Sequence, residues 1–112
     1  MMLVGASSPF GSAARTAVLV ALELLGESYA RELARLSGNH LASVQAALRG
    51  LERDGLVAGR AAGRTRLFRL SPRYFALAEL RGFLRRLSEA EPEIVSRVEQ
   101  LRRRPRRTGK PL

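Results

Sequence analysis

The spacing of apolar residues changes abruptly at Asp54-Gly55, and this change constrains the fold more than any other feature of the chain. Before it, apolar residues recur every three or four positions, which predicts amphipathic helices. After it, from Leu56 to Leu70, apolar and polar residues alternate, which predicts strands. Three short helices and a hairpin are therefore expected. The helical positions are Ala14, Val18, Leu22 and Leu25; Leu33, Ala34 and Leu36; and Val44, Ala47, Leu48 and Leu51.

Capping and breaking residues predict where these helices begin and end. A serine or asparagine side chain can accept hydrogen bonds from the free N–H groups of a first helical turn. A glycine just after a helix adopts the left-handed conformation that ends it. The predicted caps and ends are, in chain order, Ser12, Gly26, Ser28, Ser37-Gly38, Asn39 or His40, and Asp54-Gly55.

The hairpin is predicted to pair Leu56–Arg60 with Arg64–Leu70 across a turn at residues 61–63. Gly59 and Gly63 flank this reversal. Because glycine adopts positive φ without steric cost, both are expected to supply that conformation.

Two further helices are predicted after Ser71-Pro72, and Pro92 suits the first turn of the second one. Their apolar residues either complete the core of one chain or join two copies, and the second reading predicts a homodimer. The residues assigned to dimerisation are Leu77, Leu80, Leu84, Leu87, Ile94, Val98 and Leu101.

The positive charge is concentrated in two segments. The net charge is +10, yet residues 1–56 contain as many acidic as basic side chains. Residues 57–73 contain five arginines and no acid, and residues 102–112 contain five arginines and one lysine. The excess of arginine over lysine can follow from genomic base composition, but the absence of acids from the hairpin cannot. The pattern favours a polyanionic partner, while the basic tail fits a solvated extension and a phosphate-binding arm equally well.

The third helix is expected to turn a polar face away from the core. Gln45 on that face can form paired hydrogen bonds with adenine, and Arg49 can reach a guanine or a phosphate in the major groove. Ser43 and the backbone amides near Asn39 and His40 suit phosphate contact.

Three stretches resemble the winged helix-turn-helix proteins, and among them the small ArsR-type transcriptional regulators. Glu32–Gly38 resembles the helix-turn element of that family. The pattern Val44-x-x-x-Leu48-x-x-Leu51-Glu52-x-x-Gly55-Leu56-Val57 resembles its recognition helix and the entry into its wing. Gly63–Leu70 resembles the returning wing strand, and the similarity extends over residues 10–87.

This resemblance implies a mainly α fold with a small β-hairpin wing. It implies a transcriptional regulator, expected to be a repressor, that binds double-stranded DNA with full or partial sequence specificity. The apolar residues of the C-terminal helices add the expectation that it acts as a homodimer. The recognition helix, about residues 40–54, would enter the major groove, and the wing, residues 57–70, would touch the backbone or the minor groove. The predicted DNA-binding residues are Asn39, His40, Ser43, Gln45, Ala46, Arg49, Arg60, Arg64 and Arg66.

The expected organisation has four parts. Residues 1–11 form a loose N-terminal segment and residues 12–73 the winged helix-turn-helix. Residues 74–103 form the C-terminal helices, and residues 104–112 form a disordered basic tail.

Two departures from the family leave alternatives open. The cysteine-rich metal-sensing motif of some ArsR-type regulators is absent, since the chain has no cysteine. Ala42, Ala46 and Ala47 make the third helix poor in hydrogen-bonding side chains, which predicts modest base specificity. The same alanines fit an adaptor that binds an acidic protein, and the wing and tail fit an RNA-binding module.

Other classes of protein are disfavoured. Without cysteines, and with His40 as the one histidine, neither a metal site nor another cofactor is expected. No paired carboxylates, Ser-His-Asp set or Gly-rich phosphate loop with lysine suggests an enzyme. The apolar stretch at residues 17–22 is too short to span a membrane, and no basic residue precedes Arg15 as in a secretory signal. A cytoplasmic, nucleoid-associated protein is therefore expected.

Overall fold

The computed structural model describes residues 8–103. The predicted basic tail, residues 104–112, and the first seven residues of the predicted N-terminal segment lie outside this range. The elements are, in chain order, α1 (Ala13–Leu25), β1 (Ser28–Tyr29), α2 (Ala30–Ser37), α3 (Leu41–Arg53), β2 (Val57–Ala62), β3 (Thr65–Leu70), α4 (Leu77–Ser88) and α5 (Pro92–Arg103).

Helix α1 forms the centre of the molecule. It packs against α2, α3, α4 and α5, and every residue from Thr16 to Leu22 is buried. The sequence predicted one buried face, but the C-terminal helices cover the opposite side of α1 as well. The helix begins and ends as predicted, because the Ser12 hydroxyl accepts a hydrogen bond from the Arg15 amide and Gly26 ends the helix at φ 89°.

Helices α2 and α3 form the predicted helix-turn-helix. Gly38 adopts the left-handed conformation at φ 75° and ends α2, as expected of a glycine after a helix. Val44, Leu48 and Leu51 of α3 lie buried in the core. A salt bridge of 3.3 Å between Arg15 and Asp54 adds a polar link between the start of α1 and the end of α3.

The turn of the wing is tighter than predicted. Antiparallel pairing of β2 with β3 runs from Val57 opposite Leu70 to Ala62 opposite Thr65, so a two-residue loop replaces the predicted turn at 61–63. Gly63 adopts positive φ in this loop, as expected.

The prediction of positive φ at Gly59 was wrong. Gly59 lies within β2 opposite Phe68, and it is not among the positive-φ glycines. A Cβ atom at this position would come within 2.9 Å of the Phe68 ring and 2.8 Å of the Arg66 guanidinium. Glycine is therefore explained here by a close cross-strand approach.

The prediction of Ser28 as an N-cap was also wrong. Ser28 belongs to β1, which pairs with β3 and completes a three-stranded sheet in the order β1-β3-β2. Its buried hydroxyl donates a 2.6 Å hydrogen bond to the Glu32 carboxylate, and Tyr29 occupies the N-cap position of α2. Serine is a common N-cap residue, but pairing with Phe68 of β3 places Ser28 in a strand instead.

The residues assigned to dimerisation pack within one chain. Leu80, Leu84, Leu87, Ile94 and Val98 are buried in the core, and Leu77 and Leu101 are partly buried. The five buried side chains are covered by their own chain, so they are not free to contact a second copy. The apolar side chains that α4 exposes are those of Ala78 and Phe83.

The architecture is the predicted one, mainly helical with a small antiparallel hairpin, and is a winged helix fold. No helix within residues 8–103 is long and apolar enough to cross a membrane.

Candidate nucleic-acid interface

The outward face of α3 is left uncovered by the rest of residues 8–103. Inward-facing residues alternate with exposed ones at helical spacing, because burial of one face of an amphipathic helix leaves the opposite face in solvent. The outward face consists of Ala42, Ser43, Gln45, Ala46, Arg49 and Arg53, all exposed. It therefore includes four of the residues predicted to bind DNA, Ser43, Gln45, Ala46 and Arg49.

The turn before α3 holds the next two predicted residues. The Asn39 backbone amide donates to the Ser37 hydroxyl at 3.4 Å, and its side-chain amide donates to the Ser37 carbonyl at 3.4 Å. His40 is exposed and occupies the N-cap position without a side-chain capping bond. The first N–H groups of α3 therefore donate no hydrogen bond to the His40 side chain.

Two arginines of α2 border the same turn and were not predicted from the sequence. Arg31 and Arg35, one helical turn apart, line a cleft of about 300 Å³ together with Asn39 and Leu41. Both are exposed, and neither forms an ion pair within the described part of the chain. The turn between α2 and α3 thus combines two guanidinium groups with a helix N-terminus, a combination suited to an anion.

The available indication of their role was their i, i+4 spacing on a short helix. This spacing did not identify a basic site, because Glu27 and Glu32 make the net charge of the segment zero. In the structure these acids are engaged elsewhere. Glu27 binds Arg60, and Glu32 accepts the Ser28 hydroxyl.

The three predicted wing arginines differ in their surroundings. Arg60 forms a bidentate interaction with Glu27, with nitrogen–oxygen distances of 3.1 and 3.3 Å. Arg66 forms a bidentate interaction with Glu52 of α3 at 3.0 and 3.3 Å. Arg64, in the hairpin loop, is exposed and has no ion-pair partner among residues 8–103.

The Arg66 guanidinium is held on two sides. Besides Glu52, it lies over the Phe68 ring, with 5.3 Å between the guanidinium carbon and the ring centroid. Cation–π contact and charge pairing together orient the side chain across the hairpin. Arg66 therefore links the wing to α3.

The acids of the first half of the chain are mostly committed to structural contacts. Glu23 is the clearest case, since its side chain is 6% exposed and pairs with both Arg81 and Arg85 of α4. Helix α4 thus supplies arginines to an acid of α1. Within residues 8–103, no group of three or more His, Asp or Glu side chains is placed to hold a metal ion.

No protein-family model and no curated protein matches the chain. Among solved structures, the chain is similar to BpsR of Bordetella bronchiseptica, with a TM-score of 0.56 and 24% sequence identity over 81% of this chain and 76% of that one. The DNA binding of BpsR is regulated by 6-hydroxynicotinic acid. The two chains share a fold.

Proposed function

We propose that this protein is a DNA-binding transcriptional regulator that acts as a homodimer, and that it is a repressor of the ArsR-like type. One observation carries the proposal. The outward face of α3 is uncovered and is bordered by arginines that have no ion-pair partner within residues 8–103. An α-helix with its side chains is about 10–12 Å across, and the major groove of a DNA duplex is about 12 Å wide, so an exposed helix face fits into it.

Base contacts are assigned to α3. Gln45 offers a donor and an acceptor that match adenine, and Arg49 offers two donors that match guanine. Ala42 and Ala46 leave gaps between these side chains, where apolar contact with a thymine methyl group fits. With few polar readers, sequence preference depends in part on the shape of the duplex.

Backbone contacts are assigned to the turn between α2 and α3. In a helix-turn-helix the first helix crosses the phosphate backbone while the second lies in the groove. Arg31 and Arg35 stand on that first helix, and Ser43, Asn39 and the free amides of α3 supply further donors. These contacts fix the position of α3 without reading sequence.

Of the three predicted wing arginines, Arg64 is assigned to contact DNA, while Arg60 and Arg66 tie the wing to the rest of the protein. Arg60 and Arg66 are charge-neutralised by Glu27 and Glu52, so they add little attraction for phosphate in this arrangement. Arg64 at the loop reaches outward and fits the adjacent backbone or minor groove.

The salt dependence of duplex binding tests the proposal. A homodimer in which each protomer neutralises about four phosphates should give a slope near −7 when log K is plotted against log salt concentration. The protein would be titrated against a labelled random-sequence duplex, then against duplexes enriched from a random pool. Absence of duplex binding at micromolar protein in low salt would contradict the proposal.

A matched pair of variants locates the interface. Arg31→Ala removes one charge per protomer at the α2–α3 turn and should flatten the slope by about 2 in a dimer. Arg103→Ala, on an exposed end of α5, is the control for lost charge and should change the slope less. Equal binding by all variants, or preference for structured RNA over duplex DNA in competition, would contradict this assignment.

A reporter with the enriched site across its promoter should lose expression if the regulator is a repressor.

A further inference from the structure

One exposed face of α4 belongs neither to the core nor to the proposed DNA surface. Its members recur at helical spacing, and all are exposed: Ala78, Glu79, Gly82, Phe83 and Arg86. We call this set the α4 face. Phe83 is 46% exposed, and Phe75, just before the helix, is 92% exposed. Exposed aromatic side chains grouped along one helix are typical of an interaction surface.

The centre of the α4 face combines a gap with a ring. Apart from its chain neighbours and the backbone of its own helix, no atom of residues 8–103 lies within 4 Å of where a Cβ atom of residue 82 would be, so the helix backbone is open to close approach. Phe83 lies directly beside this gap, and the Phe10 ring supports it at a centroid distance of 5.9 Å. Because gap and ring are neighbours, the ring of one copy can fill the gap of another.

The charges of the α4 face follow the same symmetry. Glu79 precedes Gly82 by one helical turn, and Arg86 follows Phe83 by one turn. If two α4 helices pack antiparallel about a two-fold axis between positions 82 and 83, Glu79 of each copy lies opposite Arg86 of the other.

Both charged groups are available for such pairing. Glu79 has no ion-pair partner within residues 8–103. Arg86 pairs with Glu89 at 3.1 Å, but the two side chains are 80% and 65% exposed. An exposed pair of this kind contributes little, so it competes weakly with a contact across an interface.

We propose that the α4 face is the surface through which two copies of this chain associate, with their α4 helices antiparallel. The contact is isologous, because each copy presents the same gap, ring and pair of charges. The inference rests on the homodimer part of the proposed function and deepens it by naming the surface. It replaces the buried leucines of α4 as the dimer contact.

Charge reversal with mixing tests the pairing. Glu79→Arg alone and Arg86→Glu alone each place like charges opposite one another twice in a homodimer, and each should raise the dimer dissociation constant by about tenfold or more. An equimolar mixture of the two variants should associate like the wild type, because both cross-pairs then join Arg to Glu. Sedimentation velocity of the protein without DNA measures each state, and circular dichroism checks that every variant is folded.

Filling the gap gives a second, independent measurement. Gly82→Leu improves helix propensity, so the variant should remain folded while its side chain blocks the approach of the partner ring. Gln100→Leu adds the same side chain at an exposed site of α5 and should leave association unchanged.

The outcomes separate the possibilities. A wild-type monomer at every concentration would overturn both the homodimer and the α4 face. A dimer that none of these variants weakens, or that mixing fails to restore, would overturn the α4 face alone. Since DNA is absent throughout, none of these results bears on duplex binding, which the salt titration decides separately.

Discussion

Gly59 shows how a single residue can be explained correctly only with its neighbours. The sequence offered a glycine beside a reversal, and positive φ was the ordinary expectation. The structure instead places Gly59 opposite Phe68, where the absence of a side chain admits the aromatic ring and the Arg66 guanidinium. A residue type is visible in the sequence, but the atom that would collide with it is not.

Replacing Gly59 with alanine should therefore destabilise the fold. The new Cβ would crowd a ring that is 7% exposed and has little freedom to move. Overpacking of this kind costs about 1–3 kcal/mol of unfolding free energy, measurable by urea denaturation. In a Phe68→Leu background the cost should be smaller, since the crowded ring is gone, and an equal cost in both backgrounds would contradict the explanation.

Glu91 connects stability to pH. Burial raises the pKa of its carboxyl group, and the neighbouring charge of Glu93 raises it further. The folded state thus holds the proton more tightly than the unfolded state. The stability that this group contributes is fully present below its unfolded pKa and is lost as pH rises through the raised folded pKa.

Glu91→Gln should consequently be more stable than the wild type at neutral pH, with a difference that shrinks in acid. Denaturant titrations of both proteins across acidic and neutral pH measure this difference. Glu93→Gln removes the second cause and should lower the pH dependence in part. A glutamine variant that loses stability at neutral pH would contradict the assigned direction.

At the scale of elements, the wing is tied to the helices by ion pairs. Glu27 before β1 holds Arg60 of β2, and Glu52 of α3 holds Arg66 of β3. Local alternation predicted the strands well, because side chains that alternate between two faces suffice to identify them. The end of β3 at Leu70 was predicted, but both ends of β2, the start of β3 and the whole of β1 depended on strand pairing and were not predicted.

Glu52→Gln should weaken this tie and strengthen DNA binding. Loss of the partially exposed pair costs about 0.2–1 kcal/mol of unfolding free energy. At the same time the Arg66 guanidinium is released and each protomer gains one positive charge, so the affinity for a DNA duplex should rise and its salt dependence should steepen.

A matched control separates release of Arg66 from the change in net charge. Glu99→Gln makes the same change of charge at an exposed position of α5. Fluorescence anisotropy of a labelled duplex compares the two variants. If both raise affinity equally, Arg66 is not an additional phosphate contact in the released state.

At the scale of the whole molecule, the fold decides how the arginines are used. Two of them bind helix ends, since Arg97 donates to the Leu36 carbonyl at 3.0 Å and Arg102 donates to the Leu24 carbonyl. Such contacts satisfy the free carbonyls of a helix C-terminus. Arg102 belongs to the basic segment at residues 102–112, yet it fastens α5 to the end of α1.

The helices and the β2–β3 hairpin of this protein were determined by the sequence itself, because apolar period, capping residues and glycine at helix ends act over a few neighbouring positions. The change of period at Asp54-Gly55 predicted helices, hairpin and fold class, and the outward face of α3 followed from its buried one. Only the tertiary structure decided which charges remain available. The pairs Arg66–Glu52, Arg60–Glu27 and Arg81–Glu23 join residues 14, 33 and 58 positions apart. Because Coulomb attraction depends on distance in space, the first two pairs neutralise two of the four arginines of a wing that is basic in sequence. Within residues 8–103, Arg31 and Arg35 have no ion-pair partner, although their segment is neutral in sequence.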